Sequence, residues 1–198
     1  MDVLVVIPIF GDSDYWTPLA ERARKSIPHS IHSTIVNSES LFTSRRIGVT
    51  IRKSEWLCFL DADDELTPGY FDTMKEYEQR ADVICPSYRN IEPGKLVGSG
   101  YSIPEGNLLE RNFCVISSPI RRSFFEKVNG FRDLDFYEDW DLFIRLKIVG
   151  ARFSLCPEAV LNVHQRPGSR NKITADQHSE RVREFQELYG NKLPSINT

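Results

Sequence analysis

Apolar positions along this chain alternate between short unbroken runs and stripes at helical spacing. Val3 to Ile9 is a β-branched run closed by Pro8 and Gly11, the pattern of a buried first strand. After the Gly11–Asp14 turn, with Ser13 or Asp14 as cap, Trp16, Leu19, Ala20, Ala23 and Ile27 form one helical stripe that Pro28 stops. Ser33 to Val36 reads as a second strand, Asn37 to Ser40 as a polar turn at its carboxyl end, and Leu41 to Lys53 as a helix carrying Arg45, Arg46, Arg52 and Lys53. Trp56 to Leu60 is an apolar run too short for a helix, so it reads as a strand buried on both faces. Thr67-Pro68 has the form of a helix start, followed by the stripe Tyr70, Phe71, Met74 and Tyr77.

Further on, Asp82 to Cys85 is a short strand, and residues 87 to 111 are Gly- and Pro-rich with weak periodicity, a region of loops and irregular strands that can serve as a mobile cover. Asn112 to Ser118 resembles a strand; Arg121 to Val128 is a short helix ended by Asn129-Gly130. A mostly buried helix starts near Glu138 and runs to Val149, with Gly150 as its stop. Ala151 to Leu155 and Ala159 to Val163 alternate like strands. Thr174, with Gln177 in capping-box position, opens a last helix whose apolar face is Val182, Phe185 and Leu188, before Gly190 and a frayed tail. Strands alternating with helices predict an α/β domain with a mostly parallel central sheet flanked by helices.

The 198 residues suffice for one sizeable domain, with no repeat or internal boundary. Hydrophobic content of 40% and charged content of 27% are ordinary for a globular chain, and a net charge of -3 offers no nucleic-acid signature or anionic-membrane signature. No apolar run reaches the length of a membrane span, and the amino-terminal residues read as a strand and not as a signal peptide. Cys58, Cys85, Cys114 and Cys156 are widely spaced in apolar contexts, which fits reduced core residues and a cytoplasmic protein.

Candidate chemistry concentrates in three places. Directly after the Trp56–Leu60 strand come three Asp and one Glu within Asp61–Glu65. Such acids repel one another unless a cation shares them, and ligands of open α/β sheets bind just beyond strand carboxyl ends; a plain acidic turn is the competing reading. Glu138, Asp139 and Asp141 crowd the first turn of an apolar helix, where they serve either the helix dipole or a site. The polar loop from His164 to Lys172 holds Arg166, Arg170 and Lys172, which suit a diphosphate, and His164, which suits a metal or a structural hydrogen bond.

Taken together, these stretches resemble the family 2 glycosyltransferases of GT-A fold. Ile7-Pro8-Ile9-Phe10 resembles the family's first strand and its Pro-x-Tyr/Phe turn, and Leu60-Asp61-Ala62-Asp63-Asp64 its DxD motif. Ser117 to Phe131 resembles the segment leading to its Gly-Gly-Phe, Glu138-Asp139-Trp140-Asp141-Leu142 its Glu-Asp-Trp-Asp-Leu helix start, and Val163 to Ser169 its closing His-containing loop. The five motifs lie in the family's order over roughly residues 3 to 170. Two departures stand out: Asn37-Ser38-Glu39-Ser40 replaces the family's base-reading Asp-Asp-Gly-Ser, and Arg45-Arg46-Ile47-Gly48 follows it after a much shortened interval. A uridine preference therefore does not carry over.

The resemblance implies a single GT-A-like domain, with a nucleotide-binding half at about 1–85, an acceptor half at about 86–172 and a carboxyl-terminal helix at about 174–190. It implies inverting transfer of a sugar from a nucleotide-diphosphate donor to an acceptor hydroxyl, the acceptor being a saccharide, a lipid-linked saccharide, a protein or a modified base. On this reading Asp139 is the general base and Glu138 shapes the acceptor site; Asp61, Asp63 and His164 hold Mn²⁺ or Mg²⁺; and Pro8, Phe10, Asn37, Arg45, Asp61, Arg166 and Arg170 contact the donor. Two other classes stay open: a non-catalytic nucleotide-sugar-binding module, and a haloacid-dehalogenase-like phosphatase with Asp61 as nucleophile, against which stands Glu65 where Thr or Val is expected.

Overall fold

In the computed structural model, residues 1–93, 95–101, 107–166 and 174–192 are described. Strands β1 (Val3–Phe10), β2 (His32–Ser38) and β3 (Trp56–Phe59) run parallel, with β1 in the middle of the three. Helix α1 (Ser13–Lys25) joins the first pair and α2 (Leu41–Thr50) returns to β3. The unbroken apolar character of β1 and β3 follows from burial on both faces. Leu4, Val6, Leu57 and Phe59 enter one core, while Val3, Val5, Ile7, Trp56, Cys58 and Leu60 enter the other.

A short strand β4 (Glu65–Leu66), helix α3 (Tyr70–Met74) and a 3₁₀ turn (Lys75–Tyr77) lead into β5 (Val83–Glu92), which forms a hairpin with β6 (Lys95–Tyr101). Then come β7 (Ile120–Arg121), α4 (Arg122–Lys127), α5 (Glu138–Ile148), β8 (Phe153–His164) and α6 (Ala175–Tyr189). The sheet order is β2-β1-β3-β7-β5-β8-β4, with β6 beside β5. The sheet is mostly parallel, as expected, with antiparallel additions. Its long ladders, β1 with β2 and β3 and β5 with β8, are parallel, whereas β4, β6 and β7 join antiparallel. One core lies between the sheet and α1 and α3; the other holds α5, Phe125 of α4 and Phe185 of α6.

Local chemistry moves several expected boundaries. Asp12 caps α1, one residue before the candidates, because its carboxylate accepts from the Asp14 and Tyr15 N–H groups. Thr67 caps nothing: its hydroxyl donates to the Val160 carbonyl at 2.9 Å, and left-handed Gly69 precedes α3. Asn112–Ser118 is not a strand, since its backbone bonds close turns, Ser118 N–H to the Val115 carbonyl and Cys114 N–H to Asn112 Oδ1. The two expected strands at 151–163 are one, β8, whose register against β5 slips between Cys156 and Val160 around Pro157. The four cysteines are buried free thiols.

Two features bring the motifs together. Gly48 lets α2 lie against β1, since a methyl there would collide with Val6, and this seats Arg45 under the sheet's carboxyl edge. β4 pairs with the end of β8, Glu65 opposite Asn162, so the acid turn lies beside His164.

Candidate active site

A cavity of about 450 Å³ opens at the carboxyl ends of β1 and β3. It is lined by Pro8 and Phe10 from β1, Arg45 from α2, Asp61, Asp63 and Asp64 from the acid turn, Glu138 and Asp139 from α5, and His164 and Arg166 after β8. This volume is in the usual range for small-ligand sites, about 300–1,000 Å³. Asn37 is not in the lining; it is exposed at the end of β2, opposite Ile9 in the ladder. Arg170 lies outside the described residues. Next to Asn37, Ser38 bonds Ser44, and the buried Ser44 hydroxyl donates to the Ile9 carbonyl at 2.8 Å, so neutral hydroxyls close this end of β1.

Arg45 is the cationic centre of the site. Its Nη1 donates to Glu138 Oε1 at 2.6 Å and its Nη2 to Asp61 Oδ1 at 3.4 Å, while its guanidinium stacks over the Phe131 ring at 4.8 Å. Burial works against this charge, but Glu138 and Asp61 outweigh it and raise the Arg45 pKa. The guanidinium thus ties the acid turn to the start of α5, two segments 77 positions apart in sequence by their Asp61 and Glu138 numbers.

The acid turn is held from several sides. Arg166 Nε donates to Asp63 Oδ2 at 2.5 Å and its guanidinium lies 4.4 Å over the Trp16 ring. Arg22 donates to the Asp63 carbonyl at 2.7 Å. Asp64 accepts from the His164 N–H, and His164 Nε2 bonds Glu65 Oε2 at 2.7 Å. Burial pushes the Asp64 carboxyl well above its usual range, with Asp61 and Asp63 adding repulsion. Asp61 is also raised, by burial first and then by Asp63 and Glu138, against the pull of Arg45.

Among the described residues no group of three or more His, Cys, Asp or Glu side chains is placed to hold a metal ion by itself. The donor set still suits a cation. The lining sets Asp61, Asp63, Asp64, Glu138 and Asp139 against the guanidiniums of Arg45 and Arg166, an excess of negative charge. Hard oxygen ligands from one or two carboxylates, completed by substrate phosphates and water, are how Mg²⁺ is commonly held. His164 has Nε2 on Glu65 and no Nδ1 hydrogen bond among the described residues, which fits the pattern in which an outer carboxylate orients a ligating imidazole.

The Glu138-Asp139-Trp140-Asp141 start of α5 divides its work. Tyr137, just before it, takes a left-handed conformation (φ 63°) that few non-glycine residues adopt. It is pinned by its hydroxyl to His178 Nδ1 at 2.8 Å and by an edge contact with Trp140. Glu138 goes to Arg45. Trp140 is core, its indole N–H donating to the Leu108 carbonyl. Asp141 is buried against Arg145 (2.6 Å) and accepts from the Tyr189 hydroxyl at 2.5 Å, so it anchors α6 and takes no part in the cavity. Asp139 faces the cavity. Burial pushes its carboxyl up to about 7, Glu138 adds repulsion, and the Trp140 N–H and Arg45 pull it back.

Residues that sequence reasoning missed are Asn112, whose amide donates to Asp139 Oδ2 at 2.9 Å, and Trp16, assigned to the α1 core stripe yet lining the cavity under Arg166. Trp16 was visible as an aromatic beside the first turn; nothing in the aperiodic surroundings of Asn112 marks it.

No protein-family model matches the chain, and no curated protein matches it in sequence. Among solved structures, S. aureus TarS 1-349 in complex with UDP-GlcNAc superposes with a TM-score of 0.68 at 12% identity, over 95% of this chain and 66% of that one. A second structure of TarS 1-349 gives 0.63 at 14% identity, over 83% of this chain and 60% of that one. The complex with UDP gives 0.62 at 12%, over 84% and 61%. The chain thus spans at most about two thirds of the TarS fragment, and 45% of the longer TarS. At these identities the likeness shows the fold: this chain has the α/β fold of TarS.

Proposed function

We propose that this chain is a glycosyltransferase that moves a sugar from a nucleotide-diphosphate donor to an acceptor hydroxyl with inversion. The observation that carries the reading is the convergence, in one cavity, of an acid turn at the end of β3, the paired acids Glu138 and Asp139, and the guanidiniums of Arg45 and Arg166. The TarS complexes with UDP-GlcNAc and UDP add that a chain of this fold accommodates a nucleotide sugar.

In the proposed reaction the acceptor oxygen attacks the anomeric carbon and the bond to the diphosphate breaks, its electron pair leaving with the diphosphate. Asp139 takes the hydroxyl proton; a carboxyl with a pKa of about 7 is well matched to that transfer near neutral pH. Glu138 shapes the acceptor side. Pro8 and Phe10 flank the donor, with Asn37 and Arg170 as further donor contacts, and Arg166 meets the diphosphate. Asp61 and Asp63, with His164 as a further ligand, would hold a divalent cation, Mn²⁺ or Mg²⁺, which would supply positive charge against the leaving group.

The test is thermal denaturation with UDP-, GDP-, CDP- and dTDP-sugars, each with Mn²⁺, Mg²⁺ or EDTA, followed by assay for sugar transfer. A ligand that binds only the folded state raises its melting temperature. Metal-dependent stabilisation by one donor, with release of its nucleoside diphosphate, supports the proposal. Stabilisation with no turnover across an acceptor panel favours a binding module. A covalent aspartyl adduct on Asp61 points to a phosphatase, and no stabilisation by any donor sinks the nucleotide-sugar reading.

A further inference from the structure

Asp139 has a partner from outside its own motif. Asn112 lies in the irregular segment between residues 107 and 118, and its Nδ2 donates to Asp139 Oδ2 at 2.9 Å. The orientation of that amide is unambiguous. Its Oδ1 accepts the Cys114 backbone N–H at 3.1 Å, which only an oxygen can do. The NH₂ end is therefore turned toward the carboxylate, and one short side chain links a buried loop to the proposed base. The loop itself is held by the burial of Phe113, Cys114 and Ile116 in the core. Asn112 and Asp139 both line the cavity.

We infer that Asn112 is a positioning residue for the transfer reaction, holding one oxygen of Asp139 so that the other faces the acceptor hydroxyl. This rests on Asp139 being the base. An amide suits the role better than a cation. It donates to the carboxylate without adding the full charge that would suppress its basicity, and it cannot itself take the proton. The remaining groups that act on Asp139 are Glu138 and the Trp140 N–H of its own helix, Arg45 of α2, Asp61 of the acid turn, and the neighbouring Tyr137 and Cys114. Asn112 is distinct from all of these in being a neutral side-chain donor to the carboxylate.

Two variants separate positioning from loop structure. Asn112→Asp keeps an oxygen for the Cys114 N–H but replaces the donor with a second carboxylate; Asn112→Ala loses both contacts. The first readout needs no ligand: titration of the Asp139 carboxyl carbon by NMR, assigned with Asp139→Asn. Hydrogen bonds to charged groups are worth roughly 1.5–3 kcal/mol, so loss of the donor moves the Asp139 midpoint up by about 1 pH unit or more in both variants. An unchanged midpoint overturns the inference. The second readout is release of UDP from UDP-GlcNAc with Mn²⁺, or from whichever donor stabilises the protein. Asn112→Asp is expected to lower kcat about tenfold or more with KM for the donor unchanged, and to add no further loss in the Asp139→Asn background. A raised KM with unchanged kcat, or additive losses in the double variant, overturns it. Full activity of Asp139→Asn refutes the base assignment instead, a result the Asn112 variants alone cannot produce.

Discussion

Arg45 Nη1 donates to Glu138 Oε1 at 2.6 Å, and through this bond α2 is joined to the first turn of α5. The guanidinium is almost wholly buried, while Glu138 keeps modest exposure. Removing one partner of a buried pair leaves the other uncompensated, which costs about 3–5 kcal/mol. Arg45→Met is therefore expected to lower the melting temperature by roughly 6–20 °C, at about 2–4 °C per kcal/mol for a domain of this size. Arg45→Lys keeps the charge but loses the second arm toward Asp61, so its loss falls between wild type and Arg45→Met. Thermal denaturation at low and high salt checks this; a buried pair gives a salt-insensitive loss. Equal stability of all three proteins refutes the bridging role.

With Asp139 as the proposed base, the stability and the activity of the protein are expected to respond oppositely to pH. Its folded-state pKa of about 7 lies above the usual carboxylate value. The folded protein therefore pays for its ionisation above pH 7, and this penalty is absent once pH falls below the unfolded value, about 4. Asp139→Asn removes the penalty. The variant is expected to melt higher than wild type at pH 8 and no higher at pH 4, while transfer falls to a small residual rate and donor-dependent stabilisation is kept. The wild-type kcat/KM should rise with pH through about 7. Unaltered turnover in Asp139→Asn removes Asp139 from the base role.

These two residues show how far sequence reading reaches. The buried strands at Val3–Phe10 and Trp56–Phe59 and the acids after the latter are legible, because unbroken apolar runs and clustered charge are local signals. The Thr174–Gln177 capping box is legible for the same reason. What pairs with what is not local. Nothing near Arg45 says that it will bridge Asp61 and Glu138, and nothing near Asn112 says that it will reach Asp139. The apolar face of α6 is a smaller case: Phe185 packs as expected, but Leu188 is half exposed and Tyr189 takes the buried position. Tyr189 does so because its hydroxyl has Asp141 to bond, which periodicity cannot register.

Asp141, two residues from the proposed base, is expected to behave as a structural acid. It is 1% exposed and shares its oxygens among Arg145, Tyr189 and, at 3.5 Å, Arg132. Arg145 also donates to the Val128 and Gly130 carbonyls, so the pair secures the turn that carries Phe131. Asp141→Ala leaves Arg145 buried and unpaired, at a cost of about 3–5 kcal/mol. Tyr189→Phe keeps the Asp141–Arg145 pair and loses the hydroxyl's bonds to Asp141 and from Arg132; the one to the buried carboxylate is worth about 1.5–3 kcal/mol, and the one from half-exposed Arg132 less. Melting temperatures should fall in that order, with kcat of the surviving folded Tyr189→Phe near wild type. A selective loss of kcat in Tyr189→Phe, with stability intact, contradicts the structural assignment.

The last prediction concerns Asp63, whose oxygen is held by Arg166 while Arg166 rests on Trp16. A cation and an arginine are alternative ways to neutralise a diphosphate beside these acids, and they leave different signatures. With the cation at Asp61 and Asp63, nucleoside diphosphate raises the melting temperature only when Mn²⁺ or Mg²⁺ is present, and EDTA abolishes the effect. Asp63→Asn then loses the shift altogether. Arg166→Ala weakens it, by about tenfold in affinity for one lost charge-assisted contact, yet leaves it metal-dependent. The reverse pattern is equally definite. A shift indifferent to EDTA, retained in Asp63→Asn and lost in Arg166→Ala, would assign the charge neutralisation to the guanidinium, with Asp63 serving to hold Arg166 in place.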